Sequence, residues 1–561
     1  MTTTSLPPGW GGLLLSLLGA LAIGCGPTSG PRTDSQTNWL TGCKDDADCG
    51  GLSCLCGACT RSCDEQAGCN TLTDASCVLA NDAITVAFCD GQLPPGPGLC
   101  LLTCEDDECG EGQACEAGAC TALPESKIRV TIDPSVHHQA LIGLGATLAY
   151  AEDQVAQYSN NVELMDAMFG GLGLDMLRLR NHYGYDGEED LTVAAEVLAA
   201  AEASLGHPPV LMLSSWSPPP ALKASGELKC AGNEDPLCTL ITTTDGQFDY
   251  EGFATHWRAS LEAYAEVGVV PDYIGLQNNP DFVPEADDPA SAGEGCRFLP
   301  VEGTDTLTVD GESVEVQFPG FAEALDAVVA QLADLPSPPR IAAPETSTAI
   351  STPDYVSQLD VESTDAIAHH LYGTDPTAVE TRWLTAAGEL ASSLDLPVLQ
   401  TAMRSDGLGT AVLAHHALVT EGVSAYLQQV LVGPAADVDP ERLVSLSASG
   451  ITLEDPYYAL RHYALHTDPG WVRVDATSES DDLLASAWLA PEGGAVTVVL
   501  VNASDTALDV GLVLDELDSM TSDVSRTVFD GVERSSELGP LSSEGVLRVP
   551  GQAIVTVTLQ P

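Results

Sequence analysis

The stretch "FATHWRASLEAYAEVG" (Phe253–Gly268), followed by "YIGLQNN" (Tyr273–Asn279), decides the fold class of this chain. The first segment carries apolar residues at helical spacing, and the second is a short apolar run that ends in amides. A helical pattern that leads directly into a buried strand is one unit of a parallel sheet. The fold class is therefore α/β if the same alternation recurs along the chain.

It recurs often enough to close a barrel. The apolar runs are "LIGLGATL" (141–148), "MLRLRNH" (176–182), "PVLMLSSW" (209–216), "YIGLQNN" (273–279), "RIAAPE" (340–345), "AIAHHLYG" (366–373), "PVLQTAM" (397–403) and "VSAYLQQV" (423–430). This is the number of strands in a (β/α)₈ TIM barrel. We expect that barrel over residues 128–465.

The pattern changes to period-two strands with turn signals from about Gly470 onward, as in "VTVVLVNAS" and "AIVTVTLQ". This alternation predicts a side antiparallel β-sandwich over residues 466–561. The stretch "IRVTID" (Ile128–Asp133) precedes the barrel, and we expect it to form a strand of the sandwich.

The first 25 residues predict an export signal. The run "LLLSLLGALAI" (Leu13–Ile23) is too short to span a bilayer, and "LAIGC" resembles a bacterial lipobox. That resemblance implies cleavage before Cys25 and its lipidation, hence a protein lipid-anchored to the bacterial cell envelope, at the outer membrane or cell surface. No Lys or Arg precedes the run, and an ordinary secretory signal is the alternative. Residues 26–42 are expected to form a flexible tether.

Residues 43–122 are predicted to be a disulfide-rich small domain. Of the 18 cysteines, 14 lie from Cys43 to Cys120, and the two ends of this segment share a cysteine spacing, which indicates a repeat. A zinc site is the alternative, but the segment contains no histidine. Farther along, Cys230 and Cys238 lie close enough to close a loop, which leaves Cys296 unpaired.

The charge of the chain excludes one class of partner. Lys and Arg number 20 against 82 Asp and Glu in 561 residues, a formal charge of −62. This charge repels nucleic acid and anionic lipid, so we expect no nucleic-acid partner. A neutral glycan meets no such barrier.

The ordered motifs resemble glycoside hydrolase family 30, the retaining β-glycosidases that include glucuronoxylanases and glucosylceramidases. The resemblance runs from about residue 128 to the C-terminus. It rests on "QALIGLGATL", "LGLDMLRLR", "LSSWSPPPALKASGEL", "LQNNPDF", "HHLYG", "VLQTAM" and "PGWVRVDAT", in that order. It implies a barrel with a side sandwich, and it implies no cofactor.

Both catalytic glutamates of that family are replaced here. Retaining hydrolysis uses two carboxyl groups roughly 5 to 5.5 Å apart, one as acid/base and one as nucleophile. The resemblance puts Asn279 at the acid/base position after strand four and Ala402 at the nucleophile position on strand seven. Neither an amide nor a methyl group performs these steps, which predicts a pseudoenzyme. The "YLQQV" stretch also lacks the expected aromatic pair after strand eight.

Other residues of the barrel mouth remain suited to a sugar. Trp216 and Tyr372 are expected to stack on sugar faces, while Arg178, Asn278 and His370 offer hydrogen bonds. The structural alternatives are rim packing for the two aromatic residues and, for Arg178, a buried ion pair with Glu345.

Metal binding is not favoured by the remaining clusters. His369 and His370 point to opposite faces of one strand, and His415 and His416 fit a solvated helix face. The acidic loop 284–295 offers oxygen ligands for Ca²⁺, but a solvated loop is the commoner fate of such a composition.

Three functions therefore compete. The first is a surface lipoprotein whose inactive barrel binds a carbohydrate, a β-linked glycan, or an envelope partner. The second is an active hydrolase that uses relocated carboxylates, with Asp281, Glu345 and Asp406 as candidates. The third is a structural envelope protein.

Overall fold

The computed structural model describes residues 37–561, apart from 45, 65–67, 70–71, 73–74, 90–93, 95, 105–112, 117–118, 123–127, 186–189, 284–292, 310, 435–440, 448–449, 515–519, 530–532 and 542–544. The predicted signal peptide, Cys25 and most of the predicted tether lie outside this range, as does most of the acidic loop. Within it, none of the helices is both long and apolar enough to cross a membrane.

The cysteine-rich segment is built from short hairpins. Its elements are a 3₁₀ turn (Asp46–Cys49), β1 (Ser53–Leu55), β2 (Ala58–Thr60), β3 (Ser76–Leu79), α1 (Ala83–Phe88), β4 (Gly98–Leu101), β5 (Gln113–Glu116) and β6 (Ala119–Ala122). The antiparallel pairs β1–β2, β3–β4 and β5–β6 each align two cysteines, as Cys54 with Cys59, Cys77 with Cys100 and Cys115 with Cys120. The repeated cysteine spacing of the sequence therefore corresponds to a repeated hairpin.

Disulfides hold these hairpins together. The bonds are Cys43–Cys54, Cys49–Cys59, Cys56–Cys89, Cys63–Cys77 and Cys69–Cys100, and Cys104 and Cys120 are also disulfide-bonded. In the barrel, Cys230–Cys238 is bonded and Cys296 is a free, buried thiol, as the sequence predicted. Among the residues that the structure describes, two cysteine triads are close enough to bind a metal, 43/49/59 and 63/69/77. All six cysteines are in disulfides, so they offer no thiolate.

The end of the predicted tether is part of the folded structure. Thr37 is 1% exposed, its hydroxyl donates to the Val546 carbonyl at 3.2 Å, and its carbonyl accepts from the Arg548 amide at 2.9 Å. The Leu40 amide donates to the Cys59 carbonyl at 2.8 Å. Residues 37–42 therefore belong to the packed structure and do not form a free spacer, because their backbone groups find partners on two sides.

Eight parallel strands close the predicted barrel. They are β8 (Gly143–Leu148), β9 (Met176–Asn181), β10 (Val210–Ser215), β11 (Tyr273–Gly275), β14 (Arg340–Thr346), β15 (Ala366–His370), β16 (Val398–Met403) and β17 (Ala425–Gln429), and β17 pairs with β8 to complete the ring. Each predicted apolar run contains or overlaps one of these strands. The fold class is confirmed, and the carboxyl ends of the strands define one face, the barrel mouth.

Helices surround the barrel. They are α2 (Glu152–Gln157), α3 (Val162–Met168), α4 (Thr192–Leu205), α5 (Tyr250–Glu266), α6 (Phe321–Leu332), α7 (Thr352–Val356), α8 (Thr381–Leu394), α9 (Gly407–His415) with a π-helical extension (His416–Glu421), and α10 (Asp455–Ala464). Short 3₁₀ turns lie at Pro220–Leu222 and Val361–Ser363. In α5, Asp249 caps the first turn by accepting from the Gly252 amide, and Phe253, Trp257, Leu261 and Tyr264 are buried on one face. This stripe is the helical spacing seen in the sequence.

Two small sheets extend the loops on the mouth side. The hairpin β12 (Gly303–Val309) and β13 (Glu312–Phe318) follows β11, and β18 (Val432–Pro434), β19 (Val444–Ser447) and β20 (Gly450–Leu453) follow β17.

A nine-stranded sheet forms the predicted sandwich. Its strands are β7 (Ile128–Ala140), β21 (Val472–Ser478), β22 (Leu483–Leu489), β23 (Val496–Asn502), β24 (Leu508–Val513), β25 (Thr521–Val528), β26 (Ser536–Gly539), β27 (Val546–Val549) and β28 (Ala553–Gln560). The strand β7 pairs with β21 and β24, so the stretch before the barrel belongs to this sheet. The β7–β24 pair is parallel, which is a departure from the antiparallel expectation.

The sandwich packs against the barrel through alternate side chains of its strands. On β23, Val498 and Leu500 face the sandwich core, whereas Val499 and Val501 belong to the barrel core. Both faces are buried because successive side chains of a strand point to opposite sides. At this seam, His462 of α10 contacts the Thr556 hydroxyl at 2.8 Å and the Thr527 hydroxyl at 2.9 Å.

Candidate functional site

A buried ion pair lies at the centre of the barrel mouth. The Arg178 guanidinium of β9 and the Glu345 carboxylate of β14 are both fully buried, with Nη2 and Oε1 2.8 Å apart. The Thr401 hydroxyl donates to the same carboxylate oxygen at 3.1 Å. Burial by itself would raise the pKa of Glu345, but the charge of the Arg178 guanidinium outweighs it, so the pKa is lowered and the group is ionised. The structural alternative for Arg178 is the one observed.

Gly275 makes room for that carboxylate. A Cβ atom on Gly275 of β11 would lie 1.7 Å from Glu345 Oε2 and 2.8 Å from Ser214 Oγ. Only glycine fits at this position. Sequence reasoning missed it, although an isolated glycine inside a strand indicates a close approach of this kind.

The two asparagines after β11 are held by this network. Asn278 Oδ1 accepts from Arg178 Nη2 at 2.7 Å, and the Asn279 amide donates to the Glu345 carbonyl at 3.0 Å. Asn279 has a φ of 50°, in the left-handed region that asparagine tolerates better than most residues. Its Oδ1 lies 2.7 Å from His370 Nδ1. Burial lowers the pKa of His370 to about 4, so the ring is neutral and Nδ1–H donates to the amide oxygen.

Ala402 lies opposite His370 in the register of β15 and β16, and it is fully buried. Its methyl group carries no lone pair.

The three acids proposed for relocated catalysis have other contacts. Asp281 accepts from the Ser347 amide at 2.7 Å and from the Ser347 and Ser351 hydroxyls at 2.8 and 2.5 Å. Asp406 caps α9 by accepting from the Gly409 amide at 2.7 Å. Glu345 is in the ion pair described above. Each carboxylate therefore has a structural role in this arrangement.

The two aromatic residues expected to contact sugar differ in accessibility. Trp216 is 1% exposed, and the Arg178 guanidinium lies 4.4 Å from its ring centroid. Tyr372 is half-buried at the rim, with its ring edge-on to His370 at 5.4 Å. In this conformation only the tyrosine offers surface to a ligand.

A second charged cluster lies at the mouth, and sequence reasoning missed it. Arg180 Nη1 binds Glu294 Oε1 at 2.9 Å, Nε lies 3.7 Å from Glu152 Oε1, and the guanidinium lies 4.2 Å from the Tyr150 ring centroid. Burial raises the pKa of both Glu152 and Glu294, with Arg180 opposing it. Both carboxylates therefore pair with the same Arg180 guanidinium. Arg180 lies two residues after Arg178 and therefore on the same face of β9, and this spacing is the feature of the sequence that could have pointed to it.

The histidine pairs are placed apart. His369 Nε2 lies 2.5 Å from Glu421 Oε1, on the face of β15 opposite to His370. His415 is buried, with its pKa lowered to about 3 by burial, so the expectation of a solvated helix face was wrong for that residue. It was wrong because α9 is covered by the sandwich strands, which the local sequence does not reveal.

Comparison with known proteins places this arrangement in a family context. Residues 470–557 match the family model for the glycosyl hydrolase family 30 β-sandwich domain. The catalytic domain of GH30 xylanase C from Talaromyces cellulolyticus shares 17% identity with a TM-score of 0.56, over 77% of this chain and 100% of that one. A GH30 endoxylanase from Clostridium papyrosolvens C71 shares 18% identity with a TM-score of 0.57, over 77% and 100%.

A conserved exported protein from Bacteroides fragilis shares 13% identity with a TM-score of 0.60, over 76% of this chain and 99% of that one. At such identities the structural likeness establishes the fold alone. Together with the sandwich match, it supports the resemblance to glycoside hydrolase family 30.

Proposed function

Because the chain resembles glycoside hydrolase family 30 in its barrel fold and its sandwich, we propose that it is an exported protein that binds a neutral β-linked glycan without hydrolysing it. The observation that carries the proposal is the pair Asn279 and Ala402 at the two catalytic positions implied by the resemblance. Relatives of the same fold support the ligand class and the export, since two are xylanases and one is an exported protein.

The chemistry of the two residues supports inactivity. Asn279 has no proton to donate to a leaving oxygen, and its own oxygen accepts from His370. Ala402 has no atom able to attack an anomeric carbon. No change of pH creates either group, so inactivity is expected across the whole pH range.

The contacts of the neighbouring acids support the same conclusion. A nucleophile must reach the anomeric carbon, but the Glu345 carboxylate is fully buried and held in an ion pair with Arg178. Asp281 is fixed by Ser347 and Ser351 on the next loop.

Turnover assays test the proposal. The purified protein is expected to release no product from β-xylan, glucuronoxylan or aryl β-glycosides above a blank from pH 4 to 9. Calorimetric titration with xylo-, gluco- and galacto-oligosaccharides is expected to detect binding. Turnover that is lost in Asp281→Asn or Glu345→Gln would instead establish relocated catalysis. If the protein shows no turnover and binds no glycan, a structural role in the envelope is the function that remains.

Export and lipid anchoring form a separate part of the proposal. The disulfides of the cysteine-rich segment persist in oxidising compartments, which supports export. Lipidation at Cys25 predicts that an alkyne fatty acid labels the native protein in cells and does not label Cys25→Ser. Equal labelling of both proteins, or an uncleaved N-terminus by intact mass, would contradict the anchor.

A further inference from the structure

The centre of the barrel mouth offers little surface to a sugar. Trp216 is 1% exposed, and Arg178 and His370 are fully buried. A pyranose ring stacks only on an aromatic face that it can reach, so glycan binding needs an aromatic surface beside the barrel axis.

A cavity with such a surface lies next to the centre. It has a volume of about 370 Å³ and lies between the loops that follow β14 and β15 and the first turn of α8. Thr348, Tyr372, Asp375, Glu380 and Trp383 are among its lining residues. This volume is within the range of small-molecule sites. Tyr372 joins the cavity to the centre, since its ring also contacts His370.

The indole of Trp383 is held in place while it remains accessible. It is 37% exposed, its Nε1 donates to Glu380 Oε2 at 3.0 Å, and the Arg382 guanidinium lies 4.8 Å from its ring centroid. Arg382 also binds the same Glu380 oxygen at 2.6 Å. A side chain that is already ordered loses little entropy when a ligand stacks on it.

The charged side chains that line the cavity are the carboxylates of Asp375 and Glu380. The Thr377 amide and hydroxyl donate to Asp375 Oδ1 at 2.8 and 2.7 Å. Hydrogen bonds from Thr377 lower the pKa of Asp375, and contacts with Arg382 and Trp383 lower that of Glu380, so both are ionised at neutral pH. Ionised carboxylates accept hydrogen bonds from sugar hydroxyls and repel uronic acids.

We propose that this cavity is a glycan subsite that takes an uncharged pyranose residue, stacked on Trp383 and Tyr372 and hydrogen-bonded to Asp375 and Glu380. This inference rests on the proposed function and names the contact surface for it. The subsite lies beside the barrel axis, and it selects against substituents that carry a carboxylate.

Calorimetric titration of the full chain with xylo- and gluco-oligosaccharides tests the subsite. Trp383→Ala is expected to weaken binding about tenfold, the effect of losing one stacking ring. The matched control is Trp471→Ala, a partly buried indole immediately before β21, which is expected to bind like the native chain. Circular dichroism checks that both variants fold. An oligosaccharide with a glucuronic acid branch is expected to bind more weakly than its neutral equivalent, and Glu380→Gln is expected to reduce that difference.

The outcomes separate the two proposals. Binding that survives Trp383→Ala but is lost in Asn278→Ala would place the glycan on the barrel axis, which overturns the subsite and keeps the proposed function. A preference for the glucuronic acid branch would overturn the selection against charge. Failure of every glycan to bind the native chain would overturn both proposals.

Discussion

Glu345 keeps its charge in a space that a glycine on the neighbouring strand leaves open. Its carboxylate contacts Arg178 and Thr401, and it fills the volume that a side chain at position 275 would need. A buried charge is costly without its partner, and these groups therefore depend on one another. The residues that remain at the mouth form a tightly fitted network, which accounts for the low exposure of Trp216 and His370.

Gly275→Ala tests this fit. The new methyl group is expected to displace Glu345 from Arg178, which lowers the free energy of unfolding by about 3 kcal/mol or more, the cost of breaking a buried ion pair. The measurement is urea unfolding followed by tryptophan fluorescence. Gly303→Ala is the control, because a Cβ there has neighbours no closer than 3.5 Å, and about 1 kcal/mol or less is expected.

Repeating the substitution in a Glu345→Ala variant distinguishes a steric clash with the Glu345 carboxylate from a general loss of packing. Gly275→Ala is expected to cost less in Glu345→Ala, where the opposing carboxylate is absent. An equal cost in both backgrounds would contradict the explanation.

At the scale of the elements, the barrel strands were predictable because each is a short apolar run bounded by turns or helices. The site was predictable only where it depends on motif position, as for Asn278 and Asn279. The ion pair of Arg178 with Glu345 was one of the two alternatives that the sequence left open for Arg178. The contact of Arg180 with Glu294 joins residues far apart in sequence, and a local pattern does not encode such a distance. The docking of Thr37 on β27 was missed for the same reason.

Reduction is expected to unfold the cysteine-rich segment before the barrel. Hairpins as short as β1–β2, with three residues in each strand, have too small a core to persist without their disulfides. Treatment with a mild reductant and then an alkylating agent should label the cysteines from 43 to 120 within minutes. Mass spectrometry of peptides measures the labelling.

Cys296 is the internal control of that experiment. Burial raises the pKa of its thiol to about 12, so little thiolate forms, and the side chain is fully buried. It should remain unlabelled until the barrel unfolds in denaturant. Labelling of Cys296 at the same rate as the hairpin cysteines would show that the segments unfold together.

At the scale of the whole molecule, His462 couples the barrel to the sandwich. It lies on α10, is buried, and bonds two threonine hydroxyls of the sandwich strands. Burial lowers its pKa well below 6.5 in the folded state. The unfolded chain therefore binds a proton below about pH 6.5 that the folded chain does not, so stability falls as the pH drops below this value.

His462→Gln is expected to reduce the pH dependence of the free energy of unfolding below about pH 6.5. Each proton taken up on unfolding contributes about 1.4 kcal/mol per pH unit, so the slope of unfolding free energy between pH 6.5 and 5 should fall by up to that amount. Urea unfolding across the range gives the slope. His207→Gln, at an exposed position, is the control and should leave the slope unchanged. An unchanged slope in His462→Gln would contradict the assignment.

If Cys25 carries a lipid as proposed, the docking of Thr37 on the sandwich edge limits how far the molecule stands from a membrane. Cys25 and Thr37 are 12 positions apart, a length of chain that spans at most about 40 Å when fully extended. An anchor at Cys25 would keep the edge formed by β27 within that distance of the bilayer, because the chain is fixed to Val546 and Arg548 from Thr37 onward. An anchored protein of this kind would reach only glycans close to the membrane surface. Lengthening the segment 26–36 would increase the distance from the bilayer at which it can bind a glycan, without changing its affinity for that glycan.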